Sequence, residues 1–286
     1  MLRLFALPAA ALLLIIIDRF WGGMNSTHAN MLAAVAIVLA GIPHGTLDVE
    51  IAAAHFGQKG IAGKAMIIAS YLGCAAAMVL LWELIPELAL IFFLIISIVH
   101  FSRDWRGGVD PFLAMMVGWA LVALPALASP GDVATIFAAL TGNQNGAIIA
   151  ALLGAASVPA ALGSLVFAYW AFSHNDKQSA LEVLACIAAA LLLPPLRAFA
   201  VFFCGLHSPR HMADALRETG TLSFMKKAAI IAAVSALSLG LGVLIFLYQG
   251  DIPADMGVIR SAFVLISTLT VPHFILEHIL SDKQRA

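Results

Sequence analysis

The chain has 286 residues, of which 62% are hydrophobic and 11% charged, and its mean hydropathy is +1.00. A water-soluble domain of this length needs far more polar surface, so the composition requires solvation by lipid. A net charge of −1 without any basic tract excludes nucleic-acid binding.

Along the chain, apolar stretches long enough to cross about 30 Å of hydrocarbon recur between short polar breaks. They predict an all-α, polytopic membrane bundle of about ten transmembrane helices. The spans fall near residues 4–21, 31–56, 64–82, 87–105, 111–128, 146–172, 178–194, 196–214, 227–248 and 259–280. The first run, Leu4 to Ile17 behind Arg3, has the look of a secretory leader. Asp18, Arg19, Phe20 and Trp21 follow it where a small-residue cleavage site belongs, so it reads as a retained span with an interfacial aromatic anchor. Asp132–Leu140 reads as an interfacial helix. No linker or low-complexity segment divides the chain, which predicts one transmembrane domain over residues 1–286. Cys74, Cys186 and Cys204 lie in apolar runs without metal or redox spacing and read as inert buried thiols. With Arg19, Arg197 and Arg260 as exceptions, the Lys and Arg residues fall on one side of this ten-span division. The asymmetry predicts both termini in the cytoplasm.

The histidines carry most of the functional information. His28 falls in an outer loop and His55 and His174 at inner helix ends, where a solvated role is expected, while His278 lies near the inner end of the last span. His44, His100, His207, His211 and His273 fall within runs assigned to the bilayer, where ionisable side chains are costly and face the bundle interior. In Phe202–His211, His207 and His211 are four residues apart, so on a helix they share a face and can grip one metal ion. Pro209 between them is expected to disturb the helix locally. Three of these five histidines are also followed four residues later by a carboxylate: His44 by Asp48, His100 by Asp104 and His273 by Glu277. A carboxylate on the same helix face accepts the second ring N–H of a metal-bound imidazole and fixes its tautomer. Neutral imidazoles with open positions suit Fe(II), Cu or Zn, and ligand type alone leaves the choice open.

The run Gly41-Ile42-Pro43-His44-Gly45-Thr46-Leu47-Asp48 resembles the PHG-x-x-D signature of the Brp/Blh family, the bacterial and archaeal β-carotene 15,15′-dioxygenases. His100-Phe101-Ser102-Arg103-Asp104 is similar to that family's HFG-type motif, His207-Ser208-Pro209-Arg210-His211 to its HSxRH-type motif, and Pro272-His273 to its late PH motif. Ser102 departs from the family's usual glycine. The resemblance implies a multi-pass enzyme of a bacterial or archaeal cell (inner) membrane that splits β-carotene centrally with O2 into two retinals, using non-haem Fe(II). By motif position it implies His44, His100, His207 and His211 as iron ligands. Asp48, Asp104, His273 and Glu277 then stand behind them, and Phe101, Trp105, Phe202, Phe203 and Phe274 are candidates to line the carotenoid path. Membrane lipid, and a rhodopsin receiving the retinal, are the other partners it suggests. Two other classes place histidines within the bilayer: membrane b-type cytochromes, which sandwich haem, and proton-coupled transporters, which relay protons through His and Asp.

Overall fold

The computed structural model describes residues 2–20, 26–57, 60–105, 109–249 and 252–283; Trp21 of the expected anchor lies outside them. Among the described residues the chain is helical without strands. The α-helices in chain order are α1 (Leu2–Phe20), α2 (Ser26–His44), α3 (Asp48–His55), α4 (Ile61–Leu84), α5 (Pro86–Phe101), α6 (Pro111–Ala128), α7 (Pro130–Thr141), α8 (Asn145–Ala155), α9 (Ser157–Ser173), α10 (Lys177–Leu192), α11 (Pro195–Phe202), α12 (Ser208–Glu218), α13 (Phe224–Tyr248) and α14 (Ala254–Lys283). A 3₁₀ turn, Ser102–Trp105, follows α5, and a π-helical turn, Phe203–His207, joins α11 to α12.

The fold class holds, but the count of ten spans does not. Six helical segments among the described residues are long and apolar enough to cross a membrane: Thr27–His55, Ile61–Leu84, Pro86–Trp105, Pro111–Ala128, Phe224–Tyr248 and Ala254–Ile279. A seventh is added if the pair Asn145–Ala155 and Ser157–Ser173, bent by 40°, crosses as one. The other apolar runs fail for physical reasons. α10 has 16 residues, which at 1.5 Å per residue reach only about 24 Å. It also buries the carboxyl-bearing Glu182. The run expected over 196–214 is split into the eight-residue α11, the π turn, and an α12 that carries Arg210, Asp214, Arg217 and Glu218. α1 contains Pro8 and carries Arg3, Asp18 and Arg19 within its length.

Contacts group the chain into two compact units, Met1–Ala34 with Leu90–His207 and Val35–Ala89 with Ser208–Ala286. In the first, α6, α9 and α10 meet through small residues. Ala120, Leu124, Ala160 and Ala190 form a buried cluster against Trp119, Ala161 and Ile187. Small side chains let helix backbones approach closely, the usual basis of helix association in lipid. α1 packs on α10, and Asp18 of α1 accepts a bond from Arg197 of α11. In the second unit α14 packs on α4 and α13. The Trp82 indole N–H donates to Ser267 Oγ at 2.7 Å, and Lys64 pairs with Glu50 at 2.6 Å, which ties α4 to α14 and to α3. α13 buries only Ser238 and presents Leu237, Leu244 and Leu247 outward. Such an apolar exterior is what lipid solvates.

Candidate metal centre

In the first unit the site grows from two interruptions of regular helix. α5 ends at Phe101 and tightens into the 3₁₀ turn, where the Ser102 hydroxyl donates back to the Val99 carbonyl at 2.6 Å. α6 can approach this turn because it carries glycine there: a Cβ on Gly118 would stand 2.3 Å from the Ile98 carbonyl and 2.9 Å from the Ser102 nitrogen. The second interruption is the π turn Phe203–His207. Pro209 has no N–H for the Gly205 carbonyl and its ring crowds that carbonyl, so the helix widens just before it. The expected local disturbance is therefore present.

These interruptions bring three buried groups together. His100 Nε2 and His207 Nε2 lie 3.2 Å apart, and His207 Nδ1 lies 2.9 Å from Asp104 Oδ2. His100 and His207 are 1% and 0% exposed. A carboxylate accepts, so His207 carries its proton on Nδ1 and offers the Nε2 lone pair. Two nitrogens about 2.1 Å from one ion stand roughly 3.0 Å apart at a right angle and 3.4 Å apart at a tetrahedral one. The observed 3.2 Å falls between these values, so the pair fits two neighbouring ligands of a single metal ion. It does not fit the two axial ligands of a haem, whose nitrogens stand about 4 Å apart with the iron between them.

An aromatic shell encloses the pair. Phe101, Trp105, Phe202 and Phe203 are all buried. Phe203 stacks on His207 at 5.3 Å, Phe101 meets it edge-on at 4.9 Å, and Trp105 stacks on Phe202 at 5.9 Å. Phe199, which the motifs did not single out, completes the group against Phe101 and Phe203. Its signal was present in the spacing of Phe199, Phe202 and Phe203 ahead of His207.

The second unit holds the other histidines. α2 ends on His44, a turn follows over Gly45-Thr46-Leu47, and α3 begins on Asp48. Thr46 closes the turn by donating from its hydroxyl to the Pro43 carbonyl at 2.7 Å. The Ser208 hydroxyl donates to the Ala40 carbonyl, which holds the start of α12 against α2 one turn before His44. The His44 ring then lies 5.7 Å from that of His211 on α12 and 5.2 Å from that of His273 on α14, with His211 and His273 5.9 Å apart. His273 Nδ1 lies 2.8 Å from Asp48 Oδ2, the same arrangement as His207 with Asp104.

The carboxylates thus do their work on other histidines than the spacing predicted. Asp48 holds His273 and Asp104 holds His207, because the helix breaks between each histidine and the carboxylate four residues on, and no shared face forms. Glu277 lies one turn beyond His273 on α14 and Phe274 stacks on His278 at 6.1 Å. Burial, Asp214 and Glu277 together hold the Glu218 carboxyl above its ordinary range. His28, His55 and His174 are exposed; His55 and His174 lie at helix ends as expected, whereas His28 lies in the first turn of α2 and not in a loop.

A family model described as β-carotene 15,15′-dioxygenase matches residues 35–281. A β-carotene 15,15′-dioxygenase of an uncultured marine bacterium, 66A03, is 31% identical over 253 residues, covering 85% of this chain and 91% of the relative. The chain belongs to the β-carotene 15,15′-dioxygenase family. It is an enzyme of that family, and the match takes in every histidine and carboxylate of both units' clusters. No solved structure matches it. α1 lies outside the part of the chain that the dioxygenase family model covers. Two residues that serve these clusters lie outside the dioxygenase motifs. Gly118 was legible only as a glycine inside an apolar run. Tyr71 on α4, whose hydroxyl lies 3.3 Å from Asp48 Oδ2, could have been noticed as a lone polar aromatic at mid-span.

Proposed function

We propose that this chain cleaves β-carotene at its 15,15′ double bond with O2 to give two molecules of retinal, with one non-haem iron(II) held by His44, His100, His207 and His211. The observation that carries the reading is the buried His100–His207 pair at 3.2 Å with Asp104 behind it, in an apolar helical protein of the dioxygenase family. The motif positions supply His44 and His211. When bound, iron(II) supplies the redox chemistry that lets O2 react with an alkene. The chain's own groups do the rest. Asp104 and Asp48 hold imidazoles in the Nδ1–H form. Phe101, Phe202, Phe203 and Trp105 keep the His100–His207 pair dry and present an apolar wall suited to a polyene; Phe274 is assigned the same role in the second unit.

The reaction breaks one C=C bond and the O=O bond of one O2 and forms two C=O bonds, so both oxygen atoms end in aldehydes. No protein acid or base is required by that balance. Rate then depends on placing one double bond of the polyene at the metal, a matter of positioning. β-Carotene dissolves only in the hydrocarbon core, so an active site among membrane helices meets its substrate there. We place the Lys- and Arg-rich breaks and the C-terminus on the cytoplasmic face of a bacterial or archaeal cell membrane.

Expression in bacteria that make β-carotene, followed by retinoid extraction, tests the reading. The expected result is two retinals per β-carotene consumed and bound iron without a haem Soret band. Alanine at His44, His100, His207 or His211 is expected to abolish nearly all of both retinal formation and iron, while His28→Ala leaves them unchanged. Unconverted β-carotene with the wild-type chain overturns the function, and wild-type iron and rate in any of the four variants overturns that ligand.

A further inference from the structure

We propose that Tyr71 is a positioning residue that holds Asp48 and, through it, fixes the His273 imidazole; the proposal rests on the reading of the site given above. The Tyr71 hydroxyl lies 3.3 Å from Asp48 Oδ2 and 3.3 Å from the Leu269 carbonyl oxygen. Leu269 stands one helical turn before His273 on α14. Its one proton is therefore shared between the two sides of a single contact: the carboxylate of Asp48, and the backbone that carries the imidazole which that carboxylate grips at 2.8 Å.

A phenylalanine would fill this place on α4 equally well. A hydroxyl at membrane depth is unfavourable unless it is bonded, and here its acceptors are the Asp48 carboxylate and the Leu269 carbonyl one turn before His273. Gly45 borders the same cluster without a side chain. A Cβ there would lie 3.4 Å from Asp48 Oδ2, 3.6 Å from His273 Nδ1 and 3.7 Å from the Tyr71 hydroxyl. Asp48 is thus fixed by its place at the start of α3, by Tyr71 from α4 and by His273 from α14. With Asp48 anchored, His273 keeps its proton on Nδ1 and offers Nε2 as a lone pair beside the His44 and His211 rings. Without Tyr71, Asp48 has one restraint fewer and His273 samples the other tautomer.

The test uses the full chain in micelles with ¹⁵N-labelled histidine, first without metal and then loaded with iron. In the metal-free wild type, the His273 signal, identified by its loss in His273→Gln, is expected as a single Nδ1–H form. Tyr71→Phe is expected to yield a mixture of tautomers, with iron retention and kcat lowered roughly 3- to 10-fold and KM for β-carotene unchanged. Asp48→Asn should give a larger shift in the same direction. Because Tyr71 acts through Asp48, the double variant Tyr71→Phe/Asp48→Asn should match Asp48→Asn alone. A single unaltered tautomer in Tyr71→Phe, or losses that multiply in the double variant, overturns the proposal. If Tyr71→Phe loses helix content, the tautomer seen in Asp48→Asn with Tyr71 intact decides the linkage, and an unaltered signal there overturns it equally. A wild type that makes no retinal refutes the function instead, and leaves the tautomer result standing by itself.

Discussion

Asp104 shows how much a single carboxylate decides at this depth. Its side chain is 3% exposed and it faces the wholly buried His207. An ion there is costly unless it is bonded, and the imidazole N–H meets that need while becoming fixed in turn. The sequence made Asp104 and Asp48 conspicuous as carboxylates within apolar runs, and this much of the site was legible. Their partners were not, because spacing assigns a partner only along one unbroken helix. Here α2 stops at His44 and α5 gives way to a 3₁₀ turn after Phe101, so each carboxylate turns to a histidine far along the chain. Asp104→Asn keeps the volume and an acceptor oxygen but removes the charge. Iron affinity and retinal formation are expected to fall about 10- to 100-fold without unfolding. Iron content equal to wild type would show that Asp104 only packs against His207.

At the level of elements, the helix interruptions place the site, and only some of them announce themselves. Pro209 gave notice of the π turn before His207, and the turn lets Phe199, Phe202 and Phe203 all reach that end of the helix. The close approach of α6 to the His100 turn gave almost no notice, since Gly118 looks like any glycine in a span. Its consequence is testable. A methyl at Gly118 would sit 2.3 Å from a backbone carbonyl, a contact that only movement of α6 or of the His100 turn relieves. Gly118→Ala is therefore expected to lower the melting temperature and cut retinal formation more than about 10-fold, as misplacement near a reacting centre does. Gly73→Ala, also inside a helix but with nothing within 4 Å of the added methyl, should be neutral or raise stability by up to about 1 kcal/mol, the ordinary helix preference of alanine over glycine. Equal behaviour of the two variants, in melting and in activity, would mean that the α6 contact has no role in holding His100.

Across the whole molecule, hydropathy read the solvent correctly and the number of crossings incorrectly. A buried helix such as α10, too short to span, has the same apolar composition as a crossing one, and composition alone does not tell them apart. The charge pattern separates the counts that remain. Lys59 and Lys64 stand at the break after Thr27–His55, Arg103 and Arg106 at the break after Pro86–Trp105, and Lys283 and Arg285 beyond Ala254–Ile279. Ile85 and residues 129–144 and 249–253 carry no Lys or Arg. If the bent pair Asn145–Ala155 and Ser157–Ser173 crosses as one, seven crossings put all the charged breaks, with Lys177, Arg210 and Arg217, on one face and the uncharged breaks on the other. Arg3 and Arg19, ahead of the first of these crossings, and Arg260, near the start of the last, fall on the far side; with α1 as a further crossing Arg3 rejoins the rest and Arg19 does not. With six crossings, Lys177, Arg210 and Arg217 move to the face opposite Lys59, and the asymmetry is lost. The positive-inside rule therefore favours the crossing pair. Single cysteines at Gly60, Asn143 and Gly220, placed after removal of Cys74, Cys186 and Cys204, read the answer with an impermeant thiol reagent on intact cells. Gly60 and Gly220 should be protected until the membrane is opened, and Asn143 should react at once. Reaction of Gly220 together with Asn143 would mean that the bent pair returns to the face it left, and would leave six crossings with the basic loops divided between both sides.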